Sequence, residues 1–132
     1  MSDALSGSPT DSALKILAVD DTRSVTLSMG FVFAKPQYEF SYVESGLDAL
    51  AVLKANPGPY DVIIVDQEMP HLTGLEFVRE IRKCGISTAV IVVAATLSSE
   101  VRRAYQKMDV HVMFPKPFDV CELRSAVDRI VP

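Results

Sequence analysis

Four charged residues stand where short apolar runs stop, and their types suit one kind of chemistry. Asp66 closes the run Val62-Ile-Ile-Val65, Asp20 and Asp21 close a run ending at Val19, and Lys116 follows the run Val110–Phe114. A lone Asp in such a place is usually a turn residue or a helix cap. Three run ends together say more, because the carboxyl ends of parallel strands are where open α/β sheets bind ligands. If the fold gathers them, three carboxylates share one crevice and cannot all stay ionised without a counter-charge. A hard divalent cation such as Mg2+ meets that need, since it takes a few carboxylates together with waters and phosphate oxygens. Lys116 adds a mobile ammonium from the other side. Such a set describes a phosphoryl-accepting site, in which charge on the transferring group is neutralised while Asp66 attacks it.

The elements that must position these residues follow from pattern and punctuation. The first strand is expected over Ala13–Val19, and a helix over Thr22–Ala34 with Val25, Met29 and Val32 on one face, stopped by Pro36. Tyr38–Val43 reads as the second strand. Ser45 with Asp48 opens a second helix through Leu47, Leu50, Ala51 and Leu53. The turn Asn56–Pro59 leads into the third strand, whose β-branched residues predict burial on both faces. Thr73 and Glu76 form a capping box for a third helix with Leu75, Val78 and Ile81 inward. Thr88–Ala94 is the fourth strand, and residues 98–108 form the fourth helix with Val101, Ala104, Tyr105 and Met108 inward. Val110–Phe114 is the fifth strand. A second capping box, Asp119 with Glu122, opens a last helix on Val120, Leu123, Val127 and Ile130.

Five alternations with right-handed crossovers predict an α/β fold, a doubly wound five-stranded parallel sheet with helices on both faces. The flavodoxin-like order 2-1-3-4-5 fits this length and makes strands one and three neighbours, which is what brings Asp20, Asp21 and Asp66 together. Residues 1–13, polar and rich in Ser, are expected to be a flexible tail before one domain over 14–132.

Composition removes several function classes. The chain has 132 residues, 48% of them hydrophobic and 23% charged, so it is long enough for one good core and is neither disordered nor membrane-embedded. The absence of a signal peptide or spanning run leads to an expectation of the cytoplasm. A net charge of −4 without a basic cluster argues against direct DNA binding. No Gly-x-Gly-x-x-Gly or P-loop follows the first strand. Cys84 and Cys121 lack metal-ligand spacing and are expected to be free, buried thiols.

Val-Asp-Asp, then Asp-x-x-Met-Pro-x-x-x-Gly, then Lys-Pro-Phe, in these positions, resemble the receiver domain of two-component response regulators, the CheY-like fold, over about Leu14–Ile130. The resemblance implies that Asp66 is the phosphoacceptor and Lys116 contacts the phosphoryl group, with a cis bond to Pro117. It implies Mg2+ held by Asp21, Asp66 and the Glu68 backbone carbonyl directly, and by Asp20 through water. The donor would be a phosphohistidine of a histidine kinase or phosphotransfer protein. The product would be lost to water by self-catalysis, without a separate enzymatic activity. Signalling would then run through contact with a downstream protein.

Two positions depart from that pattern. A Thr or Ser usually ends the fourth strand, and spacing from both Lys116 and Asp66 puts Ala94 there; a competing alignment uses Thr96. The aromatic position three before the lysine is Met113. Ala94 cannot donate to a phosphoryl oxygen, a bond worth ~1.5–3 kcal/mol to a charged acceptor. Met113 has no ring whose two positions define two surfaces. Asp66 is therefore expected to accept phosphate with a weakened change at the face of the fourth helix, fifth strand and fifth helix.

The alternative is a degenerate receiver, a phosphorylation-independent interaction module. A small phosphohydrolase ranks last, because Asp20-Asp21-Thr22 lacks the Asp-x-Asp spacing of such enzymes. Glu68 either shapes water access or is an exposed loop acid. His71 reads as a surface loop residue and His111 as packed or partly exposed. Phe31 and Phe33 cannot both face inward on one helix.

Overall fold

Leu14–Val19 (β1), Tyr38–Val43 (β2), Val62–Asp66 (β3), Ala89–Ala94 (β4) and Val112–Pro115 (β5) pair in parallel in the order β2-β1-β3-β4-β5. They are joined by α1 (Arg23–Val32), α2 (Gly46–Ala55), α3 (Gly74–Lys83) and α4 (Ser99–Lys107), with α5 (Val120–Ile130) last. The computed structural model describes residues 13–130. The expected tail therefore lies outside the described residues, apart from Ala13, which is buried in a bend before β1.

Two-residue alternation along the strands splits the core into two layers. Ile16, Ala18, Ile64 and Val93 pack with Met29 and Phe33 of the α1 segment and Leu123, Ala126 and Val127 of α5. Leu17, Val19, Val65 and Val92 pack with Leu50 and Leu53 of α2, Phe77 and Ile81 of α3, and Tyr105 of α4. Every residue of β3 is buried, as its continuous β-branched run predicts for a central parallel strand. Each such side chain contributes about 1.5–3 kcal/mol by leaving water. Asp66 therefore ends the most completely buried strand of the sheet.

Caps fix where the helices start. The Thr73 hydroxyl accepts the Glu76 N–H at 3.2 Å, while the Glu76 carboxylate accepts the Thr73 N–H at 2.8 Å. Asp119 caps α5 through the Cys121 N–H at 2.7 Å, but among the described residues Glu122 makes no reciprocal bond, so the second expected box is a single cap.

Several local expectations are corrected. β5 begins at Val112, because Asp109 takes a left-handed φ of 63° and the Val110 N–H closes the end of α4 on Tyr105. His111 consequently lies before the strand, exposed beside Asp109. On α2, Leu47 and Ala51 face solvent, since the helical period turns Ala49, Leu50 and Leu53 inward. Phe77 joins Val78 and Ile81 as a buried anchor of α3. Phe33 is buried and Phe31 exposed. Both thiols are free but exposed, because Cys84 caps the end of α3 and Cys121 lies on the outer side of the first turn of α5.

Candidate functional site

Register sets the acids side by side. Val19 of β1 is matched to Val65 of β3, so the next residues, Asp20 and Asp66, leave adjacent strands at the same level. Asp20 is buried and its Oδ1 accepts the Thr22 N–H at 2.8 Å, while Asp21 lies exposed at the rim. Asp20, Asp21 and Asp66 each offer a carboxylate oxygen within 4.8 Å of the others. Ala94 of β4 is matched to Pro115 of β5, which delivers Lys116 to the same edge. Its Nζ lies 2.8 Å from Asp66 Oδ1, which also accepts the Glu68 N–H at 3.1 Å. The Lys116–Pro117 peptide is cis.

Charge at this edge is unbalanced. Burial pushes the Asp66 carboxyl up to about 6; the Lys116 ammonium opposes this and the charge of Asp20 adds to it. Asp20 is raised as well, chiefly by burial, against the pull of the Thr22 N–H and Lys116. Burial disfavours the Lys116 ammonium, but its bond to Asp66 and the surrounding acids outweigh this and hold its pKa above the usual lysine value. Within the described residues, one ammonium thus faces three carboxylates. Among the described residues, Asp20 Oδ2 and Asp66 Oδ2 are buried with no hydrogen-bond partner. An all-oxygen donor set with unpaired buried lone pairs fits a hard cation such as Mg2+.

The remaining expected residues fall around this centre. Ala94 is buried at the end of β4 on the face that carries Tyr105, and Met113 packs against the same layer. Met113 Sδ lies 3.8 Å from Arg102 Nη1 of α4. Thr96 stands two residues past the strand, exposed, with its side chain outside the described hydrogen bonds. Glu68 is exposed, and its carboxylate spans to the turn after β4. His71 is an exposed loop residue with φ 71°.

One connection was not foreseen from sequence. Gln67, next to Asp66, turns its side-chain oxygen to the buried Tyr105 hydroxyl and to the Leu75 N–H, the latter at 3.0 Å. Gly74 makes room for this contact: a Cβ there would lie 2.7 Å from both the Asp66 carbonyl oxygen and the Tyr105 hydroxyl. Gly74 is the last residue of the motif Asp-x-x-Met-Pro-x-x-x-Gly, so its position was visible, though not its reason.

A parallel sheet in this order, with an acid cluster and a lysine at its carboxyl edge, defines a receiver. Residues 16–128 match the response regulator receiver domain family, and the chain belongs to that family. It is 29% identical over 119 residues to sporulation initiation phosphotransferase F of Bacillus subtilis, covering 89% of this chain and 94% of that protein. It is 34% identical over 118 residues to response regulator MprA of a Mycobacterium species, covering 89% of this chain but only 50% of MprA, so it spans about half of that relative. The solved receiver domain of Francisella response regulator 1452 superposes with a TM-score of 0.79 at 29% identity, over 89% of this chain and 95% of the other. Receivers are signalling modules of two-component systems rather than conventional enzymes.

Proposed function

We propose that Asp66 accepts a phosphoryl group from a phosphohistidine of a histidine kinase or phosphotransfer protein, in the cytoplasm. In this reaction an Asp66 carboxylate oxygen bonds to phosphorus, the phosphorus–nitrogen bond breaks, and its electron pair leaves on the imidazole. Asp21, Asp66 and the Glu68 backbone carbonyl would hold Mg2+ directly, and Asp20 through water. When bound, the ion supplies positive charge that offsets the carboxylates and the transferring group. Lys116 steadies the negative charge from the opposite side, and the Glu68 N–H orients the Asp66 carboxylate through Oδ1.

The observation that carries this reading is the 2.8 Å Lys116–Asp66 pair beside two buried carboxylate oxygens that have no partner among the described residues. Signalling by protein contact is supported by Phe31, 84% exposed, and Leu27, 53% exposed, on α1, a helix that also contributes Ser24 and Ser28 to a groove with Pro117 and Phe118. The near full-length match to a protein named a phosphotransferase supports a relay role. Incubation with acetyl phosphate and Mg2+, followed by intact mass measurement, tests the reading. Wild type gains one phosphoryl group and Asp66→Asn gains none; equal gain by both, or none by wild type, refutes it.

Ala94 and Met113 favour a second reading, an interaction module that works without phosphate. A partner bound equally by wild type and Asp66→Asn, with or without acetyl phosphate, distinguishes it.

A further inference from the structure

The Glu68 carboxylate lies across the mouth of the acid site. Its Oε1 accepts the Ala95 N–H at 2.9 Å and stands 3.7 Å from Lys116 Nζ, while its Oε2 lies 3.5 Å from the Thr96 nitrogen. These two amides begin the turn directly after Ala94, whose side chain has no donor. A phosphoryl group joined to Asp66 carries negative oxygens, and donors aimed at such charge are what stabilise it. Donors at this edge include the Lys116 ammonium and the backbone amides of that turn. An exposed turn leaves its amides to water in the ordinary case; here a carboxylate takes the Ala95 N–H in a bond of the stronger, charge-assisted kind and makes only a long contact with the Thr96 N–H.

Building on phosphoryl acceptance at Asp66, we propose that Glu68 is a resident anion that occupies the phosphoryl-oxygen donors until phosphorylation displaces it. In the unphosphorylated chain its carboxylate draws the β4–α4 turn toward Asp66 and shares Lys116. The arriving phosphoryl group must take over both. Glu68 is 41% exposed, so the side chain can swing into water without disturbing the core, while its backbone N–H stays on Asp66. It is a positioning residue: it sets the turn and weakens the hold on the phosphoryl group without touching phosphorus. The turn is already drawn in before the reaction, so little of it is left to move afterwards.

The test uses the full chain with saturating Mg2+ and beryllium fluoride, a tetrahedral stand-in for the phosphoryl group. Wild type, Glu68→Gln and Glu68→Ala are titrated while the amide resonances of Ala95 and Thr96 are followed. Before titration, both resonances move upfield in Glu68→Ala, because a charged acceptor is lost. Both variants then bind beryllofluoride at least threefold more tightly than wild type. Unmoved amides, or a gain below threefold in either variant, overturn the resident-anion role while leaving Asp66 as acceptor intact. Failure of all three proteins to bind beryllofluoride overturns phosphoryl acceptance and the resident anion with it.

Discussion

The Lys116 ammonium lies 2.8 Å from Asp66 Oδ1, a partly exposed cation set against a carboxylate that is 1% exposed. The pair joins the end of β5 to the end of β3 across β4. Among the described residues, the second Asp66 oxygen and one oxygen of Asp20 are left without partners.

Lys116→Met removes the only ammonium that faces the cluster among the described residues, while keeping the length of the side chain. Stripping one partner from a buried ion pair is destabilising, here by about 1–3 kcal/mol because Lys116 is partly exposed and Asp66 can take up a proton. Urea denaturation at pH 7 reads the loss. The difference from wild type shrinks at pH 5, where the acid is neutral.

The raised carboxyl pKa values give the wild-type protein its own pH dependence in the absence of metal. Asp66 titrates near 6 in the folded chain and near 3.8 in its ordinary state, so the folded form binds the extra proton between those values. Stability therefore falls as pH rises through about 6, by about 1 kcal/mol between pH 5 and pH 7, and Asp20 adds in the same direction. Thermal melts in chelator show a higher midpoint at pH 5 than at pH 7. Added Mg2+ selects the ionised cluster, and raises the midpoint more at pH 7 than at pH 5.

Gly74→Ala tests the packing behind the acceptor. The new Cβ meets backbone at Asp66 and Gln67 as well as the Tyr105 hydroxyl, and backbone cannot yield as a flexible side chain would. The expected cost is ~1–3 kcal/mol from overpacking. Phosphoryl acceptance slows along with it, as the Asp66 carbonyl and the start of α3 are pushed apart. Tyr105→Phe loses only the bond to Gln67, about 1 kcal/mol, and keeps acceptance.

Much of this was legible in the chain because the signals were local. Val62–Val65 and Val90–Val93 are continuous apolar runs that fit strands covered on both faces, and Asp66 and Asp20 each follow an apolar run directly. The β5 boundary was misread because Val110 is apolar and buried, yet serves the turn closing α4 rather than the sheet. Cys84 and Cys121 were misplaced because burial frequencies for cysteine ignore which side of a helix a residue occupies. The Glu68–Ala95 and Gln67–Tyr105 contacts link residues far apart in sequence: the first joins the loops after β3 and β4, the second joins the loop after β3 to α4. No spacing rule could have announced either.

Ala94→Thr places a hydroxyl at the buried end of β4, on the face shared with Tyr105. Its donation to a phosphoryl oxygen is worth ~1.5–3 kcal/mol, so beryllofluoride binds roughly tenfold more tightly or better. Amide shift maps of wild type with and without beryllofluoride show small changes over Tyr105–Val112, and Ala94→Thr with Met113→Tyr enlarges them. Large wild-type shifts there would count against a weakened switch.

Phosphotransfer from autophosphorylated histidine kinases of the same organism, carrying radiolabelled phosphate, addresses the central claim most directly. With Mg2+ present, label moves from at least one kinase to wild type within minutes, and none moves to Asp66→Asn. Label reaching Asp66→Asn as fast as wild type would contradict acceptance at the buried carboxylate beside Lys116.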